Sequence, residues 1–390
     1  MSDKPNNSAS TRPVARTSVA IHASIQDISV DLTWVDMLKG IAIVGVFLDN
    51  WTGHMRFATS PALLYHLAVI VSAAVGPFVQ VFFILSGFGL TVGYLNRDRA
   101  NWSWKEWAWR RITKIVVPYE IVVVFSFLLG VLGSHLYTSV NVQFSWASLL
   151  AYITFSRNFY AQSWMWNPPL WFMPVIIGLY ISFPVLIKIL ERWGAGVLLL
   201  ISGLVTYGTL IIAVLVGAPK THSADVFTFW MVQFALGIVL ARIRETAPQK
   251  LRHLIGLRPF FLGIGLLLCS WVLRTYVPLG KVFNDSVTSV GMFLALLNLV
   301  WTARAKVPVM GKMLNHLSYR SYYMYLIHCP IMMFLIGPPL RVPTNPIVVI
   351  ALGVVYLVVI FLLCGFISRP IEKLSSWAYR KYAGFEARKD

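Results

Sequence analysis

Apolar residues run along the chain in long blocks separated by short polar or basic stretches. Ten blocks reach the roughly 20 residues that a membrane-crossing helix needs. They lie near 34–53, 66–94, 115–135, 170–190, 196–216, 226–242, 259–277, 286–303, 319–337 and 346–367. An eleventh block, Trp146 to Phe155, is too short to cross and reads as a re-entrant or interfacial piece. The pattern predicts an all-α polytopic membrane protein of about ten transmembrane helices. Residues 1–33 are rich in Ser, Thr, Asn and Ala without an apolar core, which reads as a disordered leader. Residues 34–374 form one membrane domain and 375–390 a basic tail. The longest connecting segment, about 136–169, is too short for a separate soluble domain.

Composition agrees with the blocks. The 390 residues are 57% hydrophobic and 12% charged, against roughly 25% charged in soluble domains. A soluble domain, an extracellular disulfide scaffold, a nucleic-acid reader and a coiled coil are excluded. The three cysteines, Cys269, Cys329 and Cys364, sit in apolar blocks without metal or redox spacing, so no metal site is expected. The net charge of +18 would suggest nucleic acid in a soluble protein; here its sidedness is what matters. With ten spans, only Arg56, Arg157, Lys220, Arg274, Lys281 and Arg341 fall on the side away from the termini, and Lys39 lies within the first span. The positive-inside rule then makes both termini cytoplasmic. Crossing at the short block would destroy that asymmetry.

Charged groups inside a bilayer are costly and mark candidate functional sites. In the first block Asp36, Lys39, Asn50 and His54 share one helical face. Lys39 and Asn50 are three turns, roughly 16 Å, apart along it. The stripe reads as a functional face; alternatively, Lys39 snorkels inward while Asn50 and His54 sit at the outer interface. His328, about eight residues beyond Arg320, is a candidate base or a core histidine. Pro330 frees a nearby backbone carbonyl that could serve as its partner. Ser86 and Gly87 favour close helix packing. Arg97, Arg99, Arg110, Arg111 and Lys114 stand among Trp102, Trp104, Trp107 and Trp109. That segment reads as an interfacial helix on anionic lipid or as a basic mouth gripping a phosphorylated cytoplasmic ligand. On the other side, Trp166, Asn167 and Trp171 belong to a cluster of aromatics and amides that suits an aromatic belt or a sugar site.

In this order the residues resemble the acyltransferase 3 family of integral-membrane acyltransferases. The matching pieces are Asp36-Met37-Leu38-Lys39-Gly40-Ile41-Ala42, Phe82-Phe83-Ile84-Leu85-Ser86-Gly87-Phe88, the Arg97/Arg99 pair, and Arg110-Arg111-Ile112 leading to Pro118-Tyr119. They continue with Leu170-Trp171-Phe172, Tyr325-Leu326-Ile327-His328 and Arg369-Pro370-Ile371-Glu372-Lys373. The resemblance spans about 34–374. It implies transfer of an acyl group, often acetyl, from cytoplasmic acyl-CoA to a hydroxyl of a sugar, surface glycan or glycolipid at the outer face. Acyl-CoA would be a substrate, with no permanently bound cofactor. Lys39 matches the basic residue of the family's (Arg/Lys)-x10-His signature, but Asn50 stands where the family has histidine. An amide has no nitrogen that accepts a proton near neutral pH. His54, one turn further along the face, and His328 are then the candidate bases, with Asp36, Lys39 and Asn50 on the same path.

The expectation is an O-acyltransferase of a bacterial inner membrane whose partners are acyl-CoA, a glycan-type acceptor and membrane lipid, but no nucleic acid. One rival is a catalytically silent relative that binds or moves a glycan or lipid. A second, an ion-coupled transporter, lacks the expected inverted repeat.

Overall fold

The computed structural model describes residues 32–58, 62–97, 102–136, 144–159, 166–217, 225–277, 280–332 and 346–386. The expected leader lies outside these residues up to residue 31. The helices are α1 (Thr33–Ala58), α2 (Ala62–Val75), α3 (Phe78–Leu95), α4 (Trp104–Leu136), α5 (Trp146–Ile153), α6 (Phe172–Leu215), α7 (Met231–Thr246), α8 (Pro248–Leu251), α9 (Leu257–Tyr276), α10 (Gly280–Lys306), α11 (Pro308–Pro330) and α12 (Pro346–Glu386). Short 3-10 turns occupy Arg157–Phe159, Pro168–Trp171, Phe227–Trp230 and Arg252–Leu254. No strand occurs among the described residues.

Among these residues 6 helical stretches are long and apolar enough to cross a membrane: Tyr65–Leu95, Trp104–Leu132, Pro168–Leu215, Phe227–Thr246, Leu257–Tyr276 and Val282–Arg304. This is a multi-pass membrane protein. The blocks at 34–53, 319–337 and 346–367 fall on α1, α11 and α12, which are helical but not among the six; residues 333–337 are not described. α12 continues through residue 375 to Glu386.

One block is split in the structure, and two others are joined. Block 66–94 is two helices. The Gly76 N–H closes α2 on the Ser72 carbonyl at 2.8 Å, and Pro77, which has no N–H to continue the ladder, caps α3. Blocks 170–190 and 196–216 are two arms of α6 that meet at Gly194, whose φ of 82° is open to glycine without strain. A straight helix of its 44 residues would be about 66 Å long, roughly twice the hydrocarbon thickness. The short block at Trp146 is the eight-residue α5, fixed by a capping box between Ser145 and Ser148.

α1 runs through both hydrophobic cores. Trp34, Val35 and Leu38 pack with Ile84 and Phe88 of α3, Leu297 of α10 and Leu314 of α11. Ile43, Phe47 and Trp51 join the second core, with Tyr119 of α4, Phe183 of α6 and Leu326 of α11. α3 and α7 cross backbone to backbone: a Cβ on Gly87 would run into the Phe234 carbonyl, and one on Gly237 into the Ile84 carbonyl. The small-residue reading of Ser86-Gly87 is thus a packing contact. Gly87→Leu is expected to destabilise the protein by about 1–3 kcal/mol, the usual range for overpacking. Thermal unfolding in detergent will show the loss, and an unchanged melting temperature would contradict this crossing.

A polar seam joins α3 and α10 inside the bundle. Gln80 Nε2 donates to Asp285 Oδ1 at 3.4 Å and Ser289 Oγ to Gln80 Oε1 at 2.9 Å. Asn284 Nδ2 donates to the same Asp285 oxygen. Gln80 thus pairs across helices with Asp285 and Ser289, and Asn284 Oδ1 accepts from Ser270 of α9, as buried polar residues of membrane helices require.

Candidate functional site

The apolar first block has two polar ends. At the Lys39 end, Lys39 Nζ pairs with Asp36 Oδ1 at 3.2 Å, and the Ser318 hydroxyl of α11 donates to the same oxygen at 3.2 Å. Lys114 lies within electrostatic reach of Arg111 and Lys39. The Arg111 guanidinium lies over Gly93 of α3, where an added Cβ would sit 3.5 Å from its Nη2. Three cations from α1 and α4 therefore converge.

The other basic residues of this region are engaged nearby. Arg110 pairs with Glu106 at 3.3 Å. The Arg97 guanidinium sits 5.8 Å from the centroid of the Trp102 ring, a cation–π distance. Arg99 lies outside the described residues. Of the four tryptophans, Trp102, Trp104 and Trp107 pack into the bundle. Trp104 stacks on Tyr94 at 5.5 Å and Trp107 on Phe183 at 5.3 Å, so they bind α4 to α3 and α6. Trp109 is the outward-facing one.

The Asn50 end holds a cavity of about 120 Å³ lined by Val46, Asp49, Asn50, Gly76, Val79, Arg157, Pro168, Pro169, Trp171 and Tyr325. The α2–α3 break builds one wall. It brings Ser72 to donate to Asp49 Oδ1 at 2.5 Å and places Gly76 where a Cβ would lie 3.5 Å from that oxygen and crowd the Ser72 carbonyl. Asn50 turns its amide back on its own helix, Nδ2 donating to the Val46 carbonyl at 2.9 Å. Arg157, 1% exposed, enters from the 3-10 turn after α5. Its Nη1 donates to the Pro168 carbonyl at 3.1 Å, and its guanidinium carbon lies 5.1 Å from the Tyr152 ring centroid. The Tyr325 hydroxyl donates to the Pro169 carbonyl. A carboxylate, an amide, a guanidinium and an indole thus face one small space.

The three aromatic-cluster candidates separate here. Trp171 lines the cavity. Trp166 is fully buried behind it, its ring 3.9 Å from Tyr152 by centroids and its Nε1 donating to Ser148 Oγ. Asn167 is also fully buried. Its carbonyl accepts from the Tyr152 hydroxyl at 3.1 Å, and its amide reaches the Leu326 carbonyl at a long 3.5 Å. That carbonyl is the one Pro330 frees on α11, since Pro330 has no N–H to offer four residues back.

His328 takes a different partner from the one its neighbouring proline suggests. Its Nδ1 lies 2.6 Å from the Tyr325 carbonyl and must donate there, because a carbonyl only accepts. Nε2 then carries the lone pair; it is buried without a hydrogen-bond partner among the described residues. The ring stacks on Phe47 at 4.8 Å, one turn inward from Asn50. His54 follows Asn50 on α1, its side chain outside the described set.

A family model described as an acyltransferase domain matches residues 32–369. The chain belongs to the acyltransferase 3 family. No curated protein and no solved structure matches it. As an acyltransferase 3 protein it is a multi-pass membrane acyltransferase, acting on groups other than aminoacyl. The family match runs from the start of α1 to Arg369 in α12, so both polar ends lie within the acyltransferase domain. Two cavity residues, Asp49 and Arg157, escaped the sequence reading. Asp49 lies roughly 100° around the helix from Asn50, and Arg157 counted only as a loop charge. The available signal for Arg157 was a lone guanidinium amid Tyr152, Phe155 and Phe159.

Proposed function

We propose that this acyltransferase moves a short acyl group, acetyl by size, from acyl-CoA at the Lys39 end to a hydroxyl at the Asn50 end. The observation that carries this reading is the pairing of ends on one helix. A cation cluster suited to phosphates stands at the first, and a small cavity that presents Asp49, Asn50 and Arg157 lies about 16 Å away at the second. The charge distribution along the ten-span reading puts the Lys39 end and both termini in the cytoplasm, and the cavity toward the outside. The cavity is somewhat smaller than the ~150 Å³ that admits benzene, which favours acetyl plus the carbinol end of an acceptor over a long acyl chain. Trp171 beside the Asn50 amide suits the apolar face and hydroxyl rim of a sugar, whether on a glycan or a glycolipid. A bacterial inner membrane fits this arrangement.

In this reaction the acceptor hydroxyl lies in the cavity and gives its proton to Asp49, whose carboxylate is oriented by Ser72. The hydroxyl oxygen attacks the thioester carbonyl, and the negative charge gathering on the carbonyl oxygen faces Arg157. Away from water such a fixed charge acts strongly. The C–O bond forms, the C–S bond breaks, and the proton leaves with the CoA thiol. A second reading of the base rests on His328, whose Nε2 is a buried, unpartnered acceptor fixed in orientation by the Nδ1 bond to Tyr325.

Phosphates of the donor are assigned to Arg111, Lys114 and Lys39, with Arg97 and Arg110 nearby; Arg99 joins them by the family resemblance alone. Replacing Arg111 and Lys114 together by alanine is expected to raise the KM for acyl-CoA at least tenfold with kcat little changed, since a hydrogen bond to a charged group contributes about 1.5–3 kcal/mol. Equal donor affinity in the double variant and the wild type would remove the donor from this end.

A further inference from the structure

α12 carries a second cationic feature that the transfer reaction does not use. Arg320 of α11 and Arg369, Glu372, Lys373, Ser376 and Arg380 of α12 line an open basin of about 650 Å³. It lies at the Lys39 end of the bundle, because Arg320 is two residues along α11 from Ser318, the partner of Asp36. The Tyr319 hydroxyl hydrogen-bonds Glu372. Four cations thus share the basin with one carboxylate that is already engaged. The buried Nε of Arg320 has no hydrogen-bond partner among the described residues.

The spacing along α12 indicates what fits. Arg369, Lys373, Ser376 and Arg380 recur at steps of three and four, so they lie on one face of the helix. Continued toward the N-terminus, the same face carries Phe366, Leu362, Val358 and Val355, exposed by 68%, 66%, 53% and 60%. A single stripe is therefore apolar and open to lipid for the 11 steps from Val355 to Phe366, then cationic. Those steps measure roughly 16 Å, the hydrocarbon depth of about one leaflet. Trp377, beside the basin and exposed, has the Lys381 ammonium 5.0 Å from its ring centroid, as suits an aromatic at the headgroup level.

We propose that this stripe is a binding site for one anionic phospholipid of the adjoining leaflet. Its phosphate sits among Arg320, Arg369 and Lys373, and an acyl chain lies along Phe366, Leu362, Val358 and Val355. Basic pockets between helices at the cytoplasmic membrane surface take anionic headgroups in this way. A soluble phosphate compound would use the cations but leave the apolar stripe uncovered.

The test uses the full chain purified in detergent, with phosphatidylglycerol and phosphatidylcholine as probes and native mass spectrometry as the readout. Wild type is expected to retain phosphatidylglycerol in preference to phosphatidylcholine. The triple variant Arg320→Gln, Arg369→Gln, Lys373→Gln is expected to lose phosphatidylglycerol affinity by about a hundredfold, from about 1 kcal/mol per surface cation. Equal retention of the two lipids by wild type, or unchanged affinity in the triple variant, overturns the proposal. So does displacement of the lipid by an equal concentration of glycerol phosphate, which would make the site one for soluble phosphates. Should the triple variant not fold, a fluorophore on Ser376→Cys in a Cys269→Ser background reports on the site without removing a cation. Spin-labelled phosphatidylglycerol is then expected to quench it more than spin-labelled phosphatidylcholine, and equal quenching again overturns the site.

Discussion

Asp49→Asn is expected to lower kcat for acyl transfer by roughly 10²–10⁴-fold, the usual worth of a positioned general base, while the KM for acyl-CoA stays unchanged. The substitution is isosteric, and an amide oxygen can still accept from Ser72, so the cavity keeps its shape. The measurement is initial transfer rate at saturating acyl-CoA, run beside His328→Gln and His54→Ala. If His328→Gln loses the rate and Asp49→Asn keeps it, the buried imidazole is the base. If the loss follows His54→Ala instead, the role returns to the histidine one turn beyond the family's usual position. Asn50→His, which restores an imidazole there, is expected to preserve or raise the rate.

The largest effect on stability is expected at Trp166. Its side chain is fully buried among Tyr152, Phe127 and Phe144, and Trp→Ala in such a place typically costs 3–5 kcal/mol. Trp166→Ala is therefore expected to lower the thermal midpoint and the yield of folded protein. Trp171→Ala should instead fold and raise the KM for the acceptor. Denaturation curves and acceptor kinetics on both variants separate the roles. A well-folded Trp166→Ala with weakened acceptor binding would assign Trp166 to the substrate.

The helical, membrane-crossing character of the chain was legible because long apolar blocks need no tertiary information. The family was legible because its motifs are local and ordered. What the sequence concealed was non-local. Gly76-Pro77 is an ordinary turn signal, but it sits inside an apolar block long enough to read as one span. Asp49 stands roughly 100° around the helix from Asn50, and a helical wheel says nothing about what packs against each angle. The α2–α3 break supplies Ser72 and Gly76 at the Asp49 angle, and the cavity is wide enough to take both residues. Arg157 turns inward through contacts with Pro168 and Tyr152, eleven and five residues away along the chain. The carbonyl that Pro330 leaves open was correctly anticipated, but its partner is Asn167, which only the folded bundle brings near.

α1 also sets a length scale. Its two halves are held in separate hydrophobic cores, so the helix cannot slide, and the distance between the Lys39 and Asn50 ends acts as a fixed ruler. In the proposed reaction acyl-CoA is a bivalent ligand, its phosphates anchored at one mark of the ruler and its thioester presented at the other. Anchoring the first end gives the second a high effective concentration, provided the linker matches the span. A thioester cut free of its nucleotide loses that advantage entirely, however well its acyl group fits the cavity.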